Sequence, residues 1–156
     1  MILIADNVIP STMANYIQNF AINQMNNSFE VWGKTKIIDT KFFLEDTVIN
    51  ETLQEITKTA VKYYGNVIID WAQIVEWPAG ANQAFHLDNA SDKTILSSIT
   101  YLNSDFRGGE TMFADGTKVA PVIGRTVFFD GAKHQHGVYT VNGASRYTIP
   151  IWYKAI

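Results

Sequence analysis

The fold is decided by residues 94–130, whose sequence is TILSSITYLNSDFRGGETMFADGTKVAPVIGRTVFFD. Short runs rich in β-branched and aromatic residues alternate here with turn pairs such as Gly108-Gly109 and Asp115-Gly116, a pattern that predicts closely spaced β-strands. The runs that we expect to form strands are Thr94–Leu102, Glu110–Phe113, Lys118–Val122 and Thr126–Asp130. They leave no room for helical crossovers, which argues against a parallel βαβ architecture.

The strand pattern continues on both sides of this stretch. Further strands are predicted at Val67–Trp77, Gly137–Val141 and Arg146–Tyr153. Asn142-Gly143 is typical of a hairpin turn, so Arg146 should lie on a strand that returns beside His136. Pro150 conflicts with the last strand because proline cannot donate a ladder hydrogen bond. Its amide side should therefore face an edge or a bulge.

The first part of the chain has helical periodicity instead. Pro10-Ser11 can begin a helix whose apolar positions recur every three or four residues, at Met13, Ile17, Phe20, Ala21 and Met25. A second helix is predicted from about Val48 to Tyr64, with Gly65-Asn66 as its stop. Its apolar face comprises Leu53, Ile56, Ala60, Val61 and Tyr64. The segment Phe29–Leu44 stays ambiguous and can hold one or two short strands.

Helices followed by about seven closely spaced strands indicate an α+β, mainly β fold, in which the helices pack on a β-sandwich or jelly roll. The length of 156 residues suits one domain. We expect a single domain over residues 1–156, with a helical entry segment at 1–65 and a β core at 66–156.

Composition and charge exclude several classes of function. The net charge is −3, only three of the basic residues are Arg, and no basic stripe occurs, so we expect no nucleic-acid partner. The chain contains no Cys, which excludes thiolate metal sites and cysteine nucleophiles. We see no signal peptide and no membrane-spanning run. These features predict a cytoplasmic protein without a membrane partner, and they leave its oligomeric state open.

The strongest chemical signal begins at His86-Leu87-Asp88. On an extended segment, residues two apart point to the same side, so this histidine and carboxylate can converge on one point. The pair is weak evidence by itself, because a surface loop is the alternative and Asn89, Ala90, Ser91 and Asp92 follow.

His136 lies 50 positions further on, ahead of a predicted strand. Two histidines and one carboxylate from distant strands form a facial triad, which is typical of non-haem Fe(II) oxygenases. Arg146 follows, and a buried arginine needs an anionic partner, for which its planar fork suits a carboxylate. Taken singly, His136 is equally compatible with a turn histidine, and Arg146 with a partner to a structural acid.

A series of motifs between Gln73 and Tyr153 adds to this pattern. In order, they are Trp77-Pro78-Ala79-Gly80 ahead of His86-Leu87-Asp88, Tyr101-Leu102-Asn103, Gly108-Gly109-Glu110-Thr111-Met112-Phe113, Pro121-Val122-Ile123-Gly124 before Phe128-Phe129, His136-Gly137-Val138, Gly143-Ala144-Ser145-Arg146-Tyr147, and Trp152. In this series the chain resembles the prolyl 4-hydroxylase-like branch of the 2-oxoglutarate/Fe(II)-dependent dioxygenases. Asp6-Asn7-Val8-Ile9-Pro10 and the helix after it are similar to the entry segment of that family.

The resemblance implies a double-stranded β-helix (jelly roll) with the N-terminal helices packed on one sheet. It assigns His86, Asp88 and His136 to iron, and Arg146 with the Tyr101 hydroxyl to the distal carboxylate of 2-oxoglutarate. It also implies a cosubstrate pocket lined by Ile99, Thr111, Val138 and Trp152. Fe(II), 2-oxoglutarate and O2 are the implied cofactor and cosubstrates, with ascorbate as an optional reductant.

Trp77 differs from the family pattern, and His134 competes with His136 as a metal ligand. Trp77 stands where a tyrosine is common in the family, which removes a hydroxyl near the cosubstrate or substrate. His134 has the same strand parity as His136 and is the competing third ligand. His136 is preferred because Arg146 follows it by 10 positions, close to the interval of the family.

The function expected from the resemblance is hydroxylation of an organic substrate with release of succinate and CO2. A prolyl residue in a peptide or protein is the first candidate substrate, and small molecules such as free amino acids come next. Two alternatives from other classes stay open, namely a non-catalytic metal- or small-ligand-binding β-barrel protein and a zinc-dependent hydrolase or lyase. Neither alternative explains Tyr101 and Arg146 together.

Overall fold

Two helices occupy the first part of the chain, and each begins close to where the sequence predicts. The computed structural model describes residues 1–25, 30–88 and 91–156. Helix α1 spans Ser11–Met25 and follows Pro10 directly, while α2 spans Thr47–Tyr64. The side chain of Asp46 caps α2 by accepting a hydrogen bond from the Ile49 amide at 2.9 Å, which satisfies one of the free N–H groups at the helix start.

Gly65 ends α2, as predicted from the sequence. It adopts a positive φ of 85°, and its amide donates to the Val61 carbonyl. This left-handed conformation carries little steric cost for glycine. The chain can therefore leave the helix and enter the first long strand within two residues.

Short strands make up most of the rest of the described chain. The strands are β1 Leu3–Ala5, β2 Glu30–Trp32, β3 Thr35–Asp39, β4 Val67–Trp77, β5 Gln83–His86, β6 Thr94–Tyr101, β7 Phe106–Gly108, β8 Thr111–Phe113, β9 Lys118–Val119, β10 Thr126–Phe129, β11 His136–Val138, β12 Val141–Gly143 and β13 Arg146–Ala155. A 3₁₀ turn at Thr40–Phe42 follows β3. The ambiguous segment Phe29–Leu44 thus holds two strands, although Phe29 itself lies outside the described residues.

The largest sheet has the strand order β1-β10-β6-β13-β4-β3-β2. Both helices pack on one of its faces, where their apolar positions meet every second residue of the central strands. The shared core includes Ile17, Ala21, Ile49, Ile56, Ile74, Leu96, Phe128, Ile149 and Ile151. Each Ile, Leu or Phe side chain in this core contributes about 1.5–3 kcal/mol on full burial. The opposite face of the same strands is left for the second sheet.

The second sheet has the order β5-β11-β8-β9, and a two-stranded sheet pairs β12 with β7. The strand pairs of all three sheets are antiparallel in the described part of the chain. Two facing antiparallel sheets with both helices on one face confirm the predicted α+β, mainly β fold, a double-stranded β-helix with the N-terminal helices packed on one sheet. In the described part of the chain, no helix combines the length and the apolar character needed to span a membrane.

Three local predictions are wrong. Asn142-Gly143 is not a hairpin turn, because both residues belong to β12 and pair with β7 in the two-stranded sheet. Gly143 does have a positive φ of 82°, but the next strand, β13, joins the large sheet instead of returning along β11. The predicted strand Gly137–Val141 is consequently split between β11 and β12.

Pro150 faces neither a sheet edge nor a bulge, because the register shifts of β13 lie further on, between Trp152 and Lys154. It lies in β13, which is flanked by β6 on one side and β4 on the other. Pairing with β6 continues through Pro150 opposite Ile99, whereas pairing with β4 stops after Thr148 and resumes at Ile151. A central strand therefore accommodates the missing N–H by interrupting one of its two ladders.

Candidate active site

The predicted metal ligands come from neighbouring strands of the smaller sheet. His86 is the last residue of β5, Asp88 follows two positions later, and His136 is the first residue of β11. The antiparallel pairing of β5 with β11 places His136 directly opposite His86. Residues that are far apart in sequence are therefore brought together by strand register.

The three side chains converge on one point. The Asp88 Oδ1 atom lies 3.2 Å from His136 Nε2 and 3.6 Å from His86 Nε2. One potential ligand atom from each residue lies within 4.8 Å of the others. Within the ranges that the structure describes, this is the one group of three or more His, Cys, Asp or Glu side chains so arranged. Two imidazole nitrogens and one carboxylate oxygen match the facial triad of non-haem Fe(II) sites.

Backbone carbonyls orient both imidazole rings. The Nδ1 atom of His86 lies 3.1 Å from the Ala84 carbonyl, and that of His136 lies 2.8 Å from the His134 carbonyl. If Nδ1 carries the proton in each of these bonds, Nε2 presents its lone pair to a metal. Both Nε2 atoms face Asp88, the third predicted ligand.

His134, the competing ligand, is not part of this group. Its own Nδ1 atom lies 3.0 Å from the Asp130 carbonyl, and its backbone carbonyl is the acceptor for His136. The structure thus places His134 in the turn that orients His136. This arrangement agrees with the choice of His136 as the third ligand.

Arg146 and the triad line the same cleft, which has a volume of about 950 Å³ and lies between the two sheets. Arg146 is only 1% exposed. Its Nε atom donates to the Gly109 carbonyl at 2.9 Å, and one terminal nitrogen donates to Thr111 Oγ1 at 3.2 Å. The rings of Trp77 and Tyr101 flank the guanidinium at 5.0 and 5.2 Å.

The surroundings of Arg146 leave two polar groups for a ligand to satisfy. No carboxylate among the described residues forms an ion pair with Arg146, although a buried charge without a partner is unfavourable. The Trp77 indole N–H is also buried and has no acceptor among them. Burial lowers the pKa of Arg146, and nearby Tyr101 and Glu110 act in the opposite direction. A dicarboxylate such as 2-oxoglutarate fits this end of the cleft.

Comparison with known proteins identifies the family. The family model described as 2OG-Fe(II) oxygenase superfamily matches residues 72–154, more than half of the chain. The chain belongs to this superfamily. Membership implies Fe(II), 2-oxoglutarate and O2, and the His-Asp-His group of the oxygenase fits iron. No protein among curated sequences matches the chain.

Solved structures share the fold of this oxygenase at low sequence identity. A viral collagen prolyl hydroxylase from Paramecium Bursaria Chlorella virus-1 is 17% identical, with a TM-score of 0.77 over 99% of this chain and 96% of that one. A prolyl hydroxylase from Trichoplax adhaerens is 18% identical, with a TM-score of 0.81 over 99% and 83%. A prolyl-4-hydroxylase from Pseudomonas putida is 17% identical, with a TM-score of 0.73 over 99% and 92%. These likenesses establish the fold of the oxygenase.

The remaining predicted pocket residues divide into two groups. Ile99, Val138 and Trp152 line the cleft, as expected, whereas Tyr101 and Thr111 do not. Both of these are fully buried, and the Tyr101 hydroxyl bonds to Thr111 Oγ1 and to the Val119 carbonyl. Because Thr111 also accepts from Arg146, the pair braces the arginine. Direct contact of Tyr101 with the cosubstrate stays a prediction.

The charges of the triad are coupled. Burial raises the pKa of Asp88, but hydrogen bonds from His136 and His86 outweigh burial and hold the pKa far below its ordinary value. Burial lowers the pKa of His86, whereas its hydrogen bond to Asp88 raises it, and the net shift is upward. Asp88 is therefore ionised at neutral pH, which a metal-binding carboxylate requires.

Sequence reasoning missed two residues of the oxygenase that contact Asp88. Ser97 Oγ donates to Asp88 Oδ2 at 2.8 Å, and the carbonyl of Gly131 accepts from the Asp88 amide at 2.8 Å. Ser97 has the same strand parity as Ile99, so the pattern that placed Ile99 on the cleft could also have placed Ser97 there. Nothing in the sequence around Gly131 indicates that it lies against Asp88.

Proposed function

We propose that this oxygenase hydroxylates a prolyl residue within a peptide or protein, with release of succinate and CO2. The observation that carries the proposal is the lining of the cleft. Apart from the triad and Arg146, no described residue that lines it has a charged side chain. A free amino acid would bring an ammonium and a carboxylate into the cleft without partners. A residue inside a peptide chain brings neither charge.

The residues of the cleft have separate tasks in this reaction. His86, Asp88 and His136 would hold Fe(II), and the planar fork of Arg146 would grip the distal carboxylate of 2-oxoglutarate. Bound Fe(II), with 2-oxoglutarate and O2, supplies oxidative decarboxylation coupled to insertion of one oxygen atom into a substrate C–H bond. The buried position of Arg146 strengthens its electrostatic attraction for the cosubstrate, because the screening by water is weak there.

The walls nearest the triad suit an apolar ring. Trp71 and Trp152 stack with ring centroids 4.6 Å apart, and both line the cleft. Phe85 and Leu87 flank His86 in sequence and are 48% and 39% exposed. Exposed apolar side chains beside a polar centre are typical of a binding surface. A pyrrolidine ring can pack on such a surface without an ion pair.

One relative offers further support for a peptide substrate. The prolyl hydroxylase from Trichoplax adhaerens was solved with a peptide fragment of the hypoxia inducible factor oxygen degradation domain. Its fold covers nearly all of this chain. The shared fold makes a peptide an accessible substrate for the cleft described above.

The decisive test uses matched substrates. Protein with Fe(II), 2-oxoglutarate and O2 is incubated with proline-containing peptides, with the same peptides carrying alanine in place of proline, and with free proline. Mass spectrometry should show one added oxygen atom on the proline peptides alone, with one succinate formed per oxygen added. Oxidation of free proline but of no peptide would contradict the proposal, and oxidation of the alanine peptides would exclude proline as the target.

The rival function is a non-catalytic metal- or small-ligand-binding protein. The same assay separates it from the oxygenase, because 2-oxoglutarate oxygenases release some succinate even when the proper substrate is missing. Metal binding without succinate in every reaction of the panel would favour the binding protein.

A further inference from the structure

The two oxygen atoms of Asp88 have different surroundings. Oδ1 faces the Nε2 atoms of His86 and His136. Oδ2 instead accepts two side-chain hydrogen bonds, from Ser97 Oγ at 2.8 Å and from Trp152 Nε1 at 3.2 Å. The carboxylate is therefore held in one orientation before any metal binds.

The two residues that donate to Asp88 Oδ2 lie on neighbouring strands of the large sheet. Strand register pairs Ser97 on β6 with Trp152 on β13, and it continues this row to Phe129 on β10 and Trp71 on β4. Trp152 stacks on Trp71, and the Phe129 ring packs on His136 with a centroid distance of 4.6 Å. One row of the large sheet thus supports both Asp88 and His136, and side chains on paired strands hold their positions well.

Gly131 closes the remaining side of the carboxylate. A Cβ atom at this position would overlap Asp88 Oδ2 and would lie 2.6 Å from Ser97 Oγ. The Gly131 carbonyl also accepts the Asp88 amide hydrogen. With backbone on one side and two donors on the other, the carboxylate has little freedom to rotate.

We propose that Ser97 and Trp152 are positioning residues that make Asp88 a ligand through one oxygen only. A carboxylate that binds through both oxygens occupies an additional coordination position, which 2-oxoglutarate and O2 require. Two hydrogen bonds on Oδ2 oppose that second contact and keep Oδ1 directed at the metal. This inference rests on the proposed function, because it assumes that the triad binds Fe(II).

The test uses Co(II), a spectroscopic probe of the metal site that is stable in air. Ser97→Ala and Trp152→Phe each remove one donor to Oδ2. Each should weaken Co(II) binding on the order of 10-fold, as typical for partners of metal ligands, and should alter the ligand-field absorption spectrum of the bound ion. The change in spectrum reports the coordination of the ion, which a loss of packing alone does not change.

The chain offers a matched control for the serine variant. Ser98 is the neighbouring serine and is 1% exposed. Its hydroxyl forms no hydrogen bond to Asp88, so Ser98→Ala removes a buried hydroxyl without removing a donor to the carboxylate. This control should keep the affinity and the spectrum of the wild type.

The outcomes distinguish this inference from the proposed function. Wild-type affinity and spectrum in both Ser97→Ala and Trp152→Phe would overturn the positioning role alone. An equal loss in Ser98→Ala would also overturn it, since packing would then explain the effect. A wild-type protein that binds no Co(II) would refute the proposed function and this inference with it.

Discussion

Replacing Arg146 with alanine separates a 2-oxoglutarate oxygenase from any other His/Asp metal site. Arg146 is 1% exposed, its guanidinium has no carboxylate partner among the described residues, and it contacts none of the three metal ligands. Arg146→Ala should therefore leave Fe(II) affinity nearly unchanged while it weakens cosubstrate binding. Loss of one partner from a buried, charge-assisted pair costs about 2–5 kcal/mol, which corresponds to a roughly 30- to 4,000-fold increase in Kd.

Thermal unfolding converts this loss into a direct measurement. At 2-oxoglutarate concentrations about 100 times the wild-type Kd, binding stabilises the wild type by about 2.7 kcal/mol. A 30-fold weaker Kd leaves about 0.9 kcal/mol at the same concentration. For a domain of this size, those energies correspond to Tm increases of roughly 5–11 °C for the wild type and about 4 °C or less for the variant.

The assay compares metal-loaded, O2-free protein with and without 2-oxoglutarate. Arg125→Ala is the matched control, because Arg125 pairs with Asp6 through a 2.6 Å contact and does not line the cleft. Arg146→Lys should recover part of the Tm increase, since the charge returns without the planar fork. An equal Tm increase in wild type and Arg146→Ala would refute the proposed anchor and would weaken the reaction proposed above.

Three further predictions concern the triad and its surroundings. His86→Ala and His136→Ala should each abolish Fe(II) binding, and His134→Ala should retain it, as measured by calorimetric titration. Loss of Fe(II) binding in His134→Ala but not in His136→Ala would make His134 the third ligand. Tyr101→Phe should weaken 2-oxoglutarate binding by about 0.5–3 kcal/mol, less than Arg146→Ala in the same titration. The raised pKa of His86 stabilises the metal-free fold fully below the ordinary histidine pKa of about 6.5. That stabilisation is lost as pH rises through the raised pKa of His86. The Tm difference between metal-free wild type and His86→Gln should therefore shrink with rising pH. A Tm difference that does not change with pH would contradict the pairing of His86 with Asp88.

Some elements could be predicted from the sequence almost to the residue. Val67–Trp77 is a strand with the predicted bounds, because a β-branched and aromatic run lies between a glycine stop and a proline. The helix Thr47–Tyr64 is similarly marked by Asp46 at its start and Gly65 at its end. In these segments the local preference and the tertiary packing favour the same conformation.

Other elements carry no local signal. Gln83–His86 is a strand only because it pairs with β11, and its four residues show no alternation of apolar and polar side chains. Leu3–Ala5 pairs with Thr126–Phe129 across most of the chain length. Asn142-Gly143 has a strong turn signal that the pairing of β12 with β7 overrides. Strand partners that are distant in sequence decide these cases, and local propensity does not report them.

Side-chain type and strand parity are local properties, so the convergence of His86 and Asp88 could be predicted without a structure. The resemblance of the motif series to a known family added His136 as a third ligand and Arg146 as a separate cation. The oxygen of Asp88 that faces the imidazoles could be identified only from the fold. That choice depends on strand register between β6 and β13, which brings Ser97 and Trp152 together on Oδ2. Register is a property of paired strands, and no single segment of the chain contains it.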